Sequence, residues 1–514
     1  MKYRIRCFLF TFLASFLVAY ADQPEEVSKA PESKRQPEIV RSKKGDVSDG
    51  VAQKFQLINI GKKQHFTAAD RETWDTDIVS PKSATFSADG SKFYVNSLEG
   101  CKTVVYDATT QAKLGVINFD FTASNLPSAA EMSGFYPFTH YEDGARQSFL
   151  GKPVESTLSH DGRYLWVTFY RRSFDRNAQD PSAVAVIDTR NDSIVKLFET
   201  GPLPKMIATS NRGNLIAVTH WGDNTVGFID ASSTNPDDWH HLQPVAIGRK
   251  LELNYPLDST VNRDANSGFL LRGTVFTPDD RFLLVSGMAG PLQVIDVKNK
   301  THIGSVHSLY GVRHLEISNG RLYGSQNVAA TVVRVEMDSL MKAIDTALEQ
   351  KERNIKLSGQ IRTVKVGGGA RTLTVTPDGE FILVACNSGN AVYAVDAETM
   401  QVVDKIRCDS YPVGLALSPD GRLLVVTSQG RPGGGGNSVN LFRVERFGSD
   451  SAFVEAMNKA SEPQVTVEEV SVEEPVTDEN DGSFPFTVLL ALFLGAAVLT
   501  GAVVMLRKRK RRLR

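Results

Sequence analysis

The sequence predicts an all-β chain: a seven-bladed β-propeller closed by an N-terminal strand, plus one C-terminal transmembrane helix. Three observations predict it. A unit of apolar strand, tight turn and apolar strand recurs seven times, a lone strand precedes the first unit, and an uncharged run near the end is followed by a basic tail.

The repeat aligns on its turns: Asp89-Gly90, Asp161-Gly162, Arg212-Gly213, Asp279-Asp280, Asn319-Gly320, Asp378-Gly379 and Asp420-Gly421. Apolar residues flank each pair, as in ATFSADGSKFYVNS and LALSPDGRLLVVTSQ, so each unit reads as a hairpin. A third strand follows and ends in an acid, at Asp107, Asp188, Asp230, Asp296, Glu336 and Asp396. A fourth strand completes a blade. The seventh unit lacks its fourth strand, whereas KFQLINIG, from Lys54 to Gly61, stands alone before the first. Pairing the two closes the ring and leaves no long exposed sheet edge.

Six segments follow. Residues 1–21 read as a signal peptide, with Lys2, Arg4 and Arg6 before a short apolar stretch and Ala19-Tyr20-Ala21 at the cleavage site. Residues 22–53 are polar and poor in aromatics, so they are expected to be disordered. The propeller takes 54–446, and an acidic flexible stalk takes 447–483. A transmembrane helix covers 484–506, since Phe486 to Leu506 carries no charge. The tail 507–514, RKRKRRLR, marks the cytoplasmic side, which places the propeller outside the cytoplasm. Without Cys7, lost with the leader, Cys101, Cys386 and Cys408 are left, an odd number that excludes a fully paired framework.

KFYVNS, the SPDG-type turns and the VxVID strands together resemble the YVTN-repeat propellers, whose bacterial members are the YncE-like proteins. The resemblance spans about 54–446 and implies the fold, not an activity. Lactonases of the phosphogluconolactonase type have a similar seven-bladed scaffold with a cationic central pocket.

Propeller geometry puts the Asp-Gly turns and the strand-end acids on one face. Those acids are expected to hold turns by accepting backbone amide hydrogens. The long insertions mostly reach the other face, at the channel mouth. They are Asn118 to Lys152, Phe169 to Pro181 with Arg171 and Arg172, Arg249 to Arg272, and the glycine-rich loop after Arg431. The helical-looking run from Met341 belongs to the turn face.

One register carries charge. Seven positions before each turn residue, six in the short fifth unit, stand Lys82, Val154, Lys205, Arg272, Arg313, Arg371 and Val413. Five of the seven are cations at the start of an innermost strand. Such a ring around a low-dielectric funnel would draw in an anion. Trp221, Arg171 and Arg172 are candidate ligand contacts on the same face. His220 and His314 are the candidates for a catalytic base. No cofactor and no metal site is expected. The sequence holds no GxSxG elbow, HExxH motif, P-loop or dinucleotide fingerprint.

The functional expectation is a membrane-anchored extracytoplasmic binding or interaction module. Its partners would be the membrane, through one helix, and a protein, a glycan or a small anionic ligand; nucleic acid is not expected. Two alternatives use the same scaffold: a lactonase-like hydrolase and an envelope assembly scaffold.

Overall fold

A computed structural model describes residues 41–50, 55–65, 73–127, 134–138, 140–141, 147–431 and 435–446. The chain divides into two units, Met1–Lys459 and Ala460–Arg514, and the second lies wholly outside the described residues. The leader, the whole of the stalk, the apolar run and the basic tail all fall outside them. Among the described residues, no helix is long and apolar enough to cross a membrane.

Seven antiparallel sheets form the blades. Their innermost strands are Pro81–Phe86, Phe149–Ser159, Pro204–Thr209, Leu271–Phe276, His314–Ser318, Ala370–Val375 and Pro412–Leu417. Six blades take their four main strands consecutively from the chain, and the second adds the short strand Asp120–Phe121. In the seventh, Phe55–Gln64 lies antiparallel to Ser438–Arg446, from Phe55 opposite Arg446 to Gln64 opposite Ser438. The closing strand thus runs three residues past the expected Gly61, after a bulge between Asn59 and Gly61.

The core is a set of layers between blades. Tyr94 and Val105 of blade 1 pack with Leu165 and Ala185 of blade 2, and the other neighbours pair likewise. Phe93 and Tyr106 meet Val425 and Leu441, joining blade 1 to blade 7. Sheets covered on both faces do not need alternating polarity. The second strands Phe282–Gly287, Phe381–Cys386 and Leu423–Ser428 are accordingly buried at every residue.

The turn acids are structural. Asp378 Oδ1 accepts from Thr376 Oγ1 at 2.6 Å and from the Glu380 amide at 3.0 Å. Asp107 and Asp396 accept in the same way from the amides that follow them. The fifth turn is short because Asn319 and Gly320 both have positive φ, 46° and 70°, in a two-residue hairpin with Ser318 paired to Arg321. Helix Met337–Gln350 buries Leu340, Ile344 and Ala347 in the layer between blades 4 and 5. Its Asp345 pairs with Arg281, beside the Asp279-Asp280 turn, so it pads the turn face.

One expectation is corrected. Residues 41–50, inside the segment 22–53 read as disordered, are ordered against the closing strand. The Ser48 amide donates to the Leu57 carbonyl at 2.9 Å, and the Gly45 amide to that of Asn59 at 2.8 Å. Ser48 Oγ donates to Asp404. Asp409, fully buried, accepts from the amides of Arg41 and Ser42 and pairs with Lys62 Nζ at 2.6 Å. Hydrogen bonds to buried carboxylates fix a segment whose own side chains are too polar to do so.

Candidate functional site

The predicted cations converge at one end of the channel. On six blades the pairing of the first two strands slips next to this position. The slips fall between Pro81 and Ser83, Pro153 and Ser156, Pro204 and Met206, Leu271 and Thr274, Ala370 and Leu373, and Pro412 and Gly414. A bulge leaves a residue unpaired and re-aims its side chain. Lys82, Lys205, Arg272 and Arg371 each fall within such a slip, and their charges act on one another. Arg313 stands just before its strand, its amide donating to the Ser325 carbonyl at 2.7 Å.

Lys205, Arg272, Arg313 and Arg371 are buried, at 6 to 8% exposure, and Lys82 is half-buried. Burial, then the charges of Arg371, Arg272, Arg313 and Lys205, push the Lys82 ammonium well below the ordinary lysine range. Burial pushes Lys205 down to about 7 against the pull of Asp264. Burial and Arg371 bring Arg272 down to about 10, and burial, Arg272 and Arg371 act the same way on Arg313. Guanidinium groups stay protonated in proteins, so these shifts express mutual repulsion in a dry site.

Few carboxylates answer that charge. Glu155 lies 3.6 Å from Arg272, and Asp264 lies 3.3 Å from Lys205. Lys82, Arg313 and Arg371 form no ion pair among the described residues. Arg313 donates to Met288 Sδ at 2.6 Å, and Arg371 reaches the Tyr411 hydroxyl at 3.4 Å. The buried Nε groups of Arg313 and Arg371 have no partner among the described residues. Burial alone would raise the Tyr411 phenol, but Arg371, Arg313 and Arg431 together hold it below its usual value.

Aromatic rings frame the cations. Lys205 Nζ sits 3.8 Å from the Tyr170 ring centre and 4.8 Å from that of Trp221. The Trp221 indole donates to the Asp264 carbonyl at 3.0 Å, and Tyr170 donates to the Asp264 carboxylate. Arg171 stacks on Tyr170 at 5.0 Å. Beside the ring, a cavity of about 350 Å³ runs between the innermost strands, from Glu155 and His314 to Ser87 and Pro419. Hydroxyls of Ser83, Thr85, Ser156, Thr372 and Thr374 belong to residues of its wall.

Two of the predicted site residues, Arg172 and His220, and one position of the counted register, Val154, are placed elsewhere or differently. Val154 is fully buried, and its neighbour Glu155 takes the blade-2 position beside the ring. Arg172 is 1% exposed and pairs with Glu199 at 3.2 Å beneath the Phe149 ring, so it ties blade 2 together. His220 is fully buried, with Nδ1 2.8 Å from Thr225 Oγ1 and Nε2 accepting from the Gly201 amide at 3.2 Å. Burial takes its pKa down to about 3, and with both nitrogens engaged it has no lone pair left to accept a proton.

His314 does line the cavity, but burial and the charges of Arg272 and Arg313 also push it down to about 3. A base that weak is poorly matched to proton abstraction at neutral pH. Glu316, raised by burial to about 7, ties blade 5 to blade 6 by accepting from the Val375 amide at 2.9 Å. Among the described residues, no three His, Cys, Asp or Glu side chains cluster closely enough to hold a metal ion. Cys101, Cys386 and Cys408 are all free thiols.

Fold and site together define a seven-bladed β-propeller with a cation-lined channel mouth. No protein-family model and no curated protein matches the chain. Among solved structures, it is similar to hydrazine synthase of Kuenenia stuttgartiensis, at 14% identity and a TM-score of 0.49, over 75% of this chain and 100% of that one. It is also similar to the Cps50 (Swd1) β-propeller domain of Myceliophteria thermophila, at 12% identity and 0.47, over 71% and 96%. A chain of a mitotic checkpoint complex gives 12% and 0.46, over 72% and 90%. These likenesses are too distant to add to what strand pairing already establishes.

Proposed function

We propose that this chain is a membrane-anchored extracytoplasmic binding module that holds an anionic ligand at the channel mouth of its propeller. The YVTN-type repeat reading supports the scaffold, and the apolar run before RKRKRRLR supports the anchor. One observation carries the ligand: the five cations share a nearly dry site, and two of them present buried Nε donors with no partner among the described residues. An unpaired buried donor costs about 1–3 kcal/mol, more when charged, and an anion would remove that cost. Binding is favoured over hydrolysis because His220 is fully hydrogen-bonded and His314 is a very weak base.

A ligand that binds only the folded state must raise the melting temperature. In a thermal-shift screen of the full chain, small oxyanions are expected to raise it in proportion to the logarithm of their concentration. Uncharged sugars of the same size are expected to leave it unchanged. Stabilisation by the neutral sugars alone would contradict the anion site.

A further inference from the structure

The charges around the ring do not balance. Among the described residues, Lys82, Lys205, Arg272, Arg313 and Arg371 face two carboxylates, Glu155 and Asp264. With every lysine protonated, the site holds an excess of three positive charges. A single negative charge would leave most of that excess in a low-dielectric pocket, where like charges repel strongly.

The donors also approach from several sides. Three guanidinium forks come from the adjacent blades 4, 5 and 6, and the two ammonium groups from blades 1 and 3. A planar carboxylate meets one fork edge to edge. A tetrahedral oxyanion presents oxygens in all directions and can accept from several forks at once. Granted the anion site argued above, we propose that its ligand carries a compact tetrahedral oxyanion with two or more negative charges, and that the ring lysines take up protons as it seats.

Proton uptake follows from what surrounds each lysine. Lys82 faces Arg371, Arg272, Arg313 and Lys205, with Glu155 across the ring. Lys205 faces Asp264, Arg272 and Arg313, with the rings of Tyr170 and Trp221 against its ammonium. Burial and these cations lower both amines, Lys205 to about 7, so above neutral pH the empty ring holds fewer protons than it can. A dianion among them raises both values and recharges the lysines. Binding therefore weakens as pH rises beyond about 7, when each anion must bring protons with it.

Sulfate separates the claims, because it keeps its double charge across this range. Methanesulfonate, with one oxygen replaced by methyl, is the singly charged control. The full chain in a non-ionic detergent is titrated with each by calorimetry at about pH 8, in two buffers of different ionisation heat. Sulfate is expected to bind at least about tenfold more tightly than methanesulfonate, a gap of about 1.4 kcal/mol. Its apparent heat is expected to differ between buffers by an amount equivalent to between about one and two protons taken up per sulfate, one from each lysine it recharges.

Equal affinity for both anions would overturn the requirement for two charges while leaving the anion site standing. Equal heats in both buffers would overturn the proton uptake. If neither anion binds, the anion site itself fails, and this inference with it. Glycerol phosphate, run alongside, distinguishes the two sources of the same chemistry. Tighter binding than sulfate points to an esterified oxyanion whose body enters the neighbouring cavity, and equal binding points to the free ion.

Discussion

Replacing Arg313 and Arg371 together by glutamine is expected to weaken sulfate binding by more than about a hundredfold, with a melting temperature at or above that of the parent chain. A hydrogen bond to a charged group contributes about 1.5–3 kcal/mol, so losing two costs about 3–6 kcal/mol, and each 1.4 kcal/mol is tenfold. Stability should hold because neither arginine forms an ion pair among the described residues. There the Arg313 side chain donates to Met288 Sδ, and that of Arg371 to the Tyr411 hydroxyl at 3.4 Å. Both depress Lys82, and Arg371 also depresses Arg272, so removing them relieves repulsion in the free protein. Calorimetric titration and thermal unfolding, measured on the same preparations, check the two halves. A steep fall in melting temperature would make these arginines structural.

The closing strand predicts the opposite pattern. Deleting residues 41–64 is expected to abolish cooperative unfolding, whatever anion is present. The deletion removes the fourth strand of blade 7 and with it Phe55 and Leu57, both fully buried. Truncating a single buried Phe costs about 3–5 kcal/mol, and stranding the buried Asp409 without Lys62 costs about as much again. Those losses compare with a total stability of about 5–15 kcal/mol for a typical domain. The milder variant Phe55→Ala should still fold but melt well below the parent. Near-ultraviolet circular dichroism on heating distinguishes the outcomes. A deleted chain with native melting would show that the ring does not depend on this closure.

The blades were legible because local chemistry alone specifies them. A turn acid two residues from the amide it holds, with apolar strands on either side, needs no distant partner to be recognised. Closure was legible for a different reason: one unit lacked a strand and one strand lacked a unit. The ordered segment 41–50 was not legible, since Asp404 and Asp409, which hold it, lie more than 350 positions away in sequence.

The ring was partly legible. Counting back from each turn found its five cations, because the bulges recur at nearly the same place. The same count named Val154, whereas in blade 2 the charged group beside the ring comes from the next residue of the slip, Glu155. His220 misled because a histidine at a strand end reads alike whether its ring is open or sealed. Asp264 comes from the long loop before blade 4, and Tyr411 from the segment ahead of blade 7. No periodicity marks either as a neighbour of the ring, although both now shape its charge.

The most direct test of the channel-mouth site is a crystal of this chain soaked in selenate, the heavier analogue of sulfate, with anomalous data collected at the selenium edge. A peak is expected on the channel axis within hydrogen-bonding distance of Arg313 and Arg371, absent when both are glutamine. Selenate bound only elsewhere on the surface, with the ring empty at saturating concentration, would contradict it.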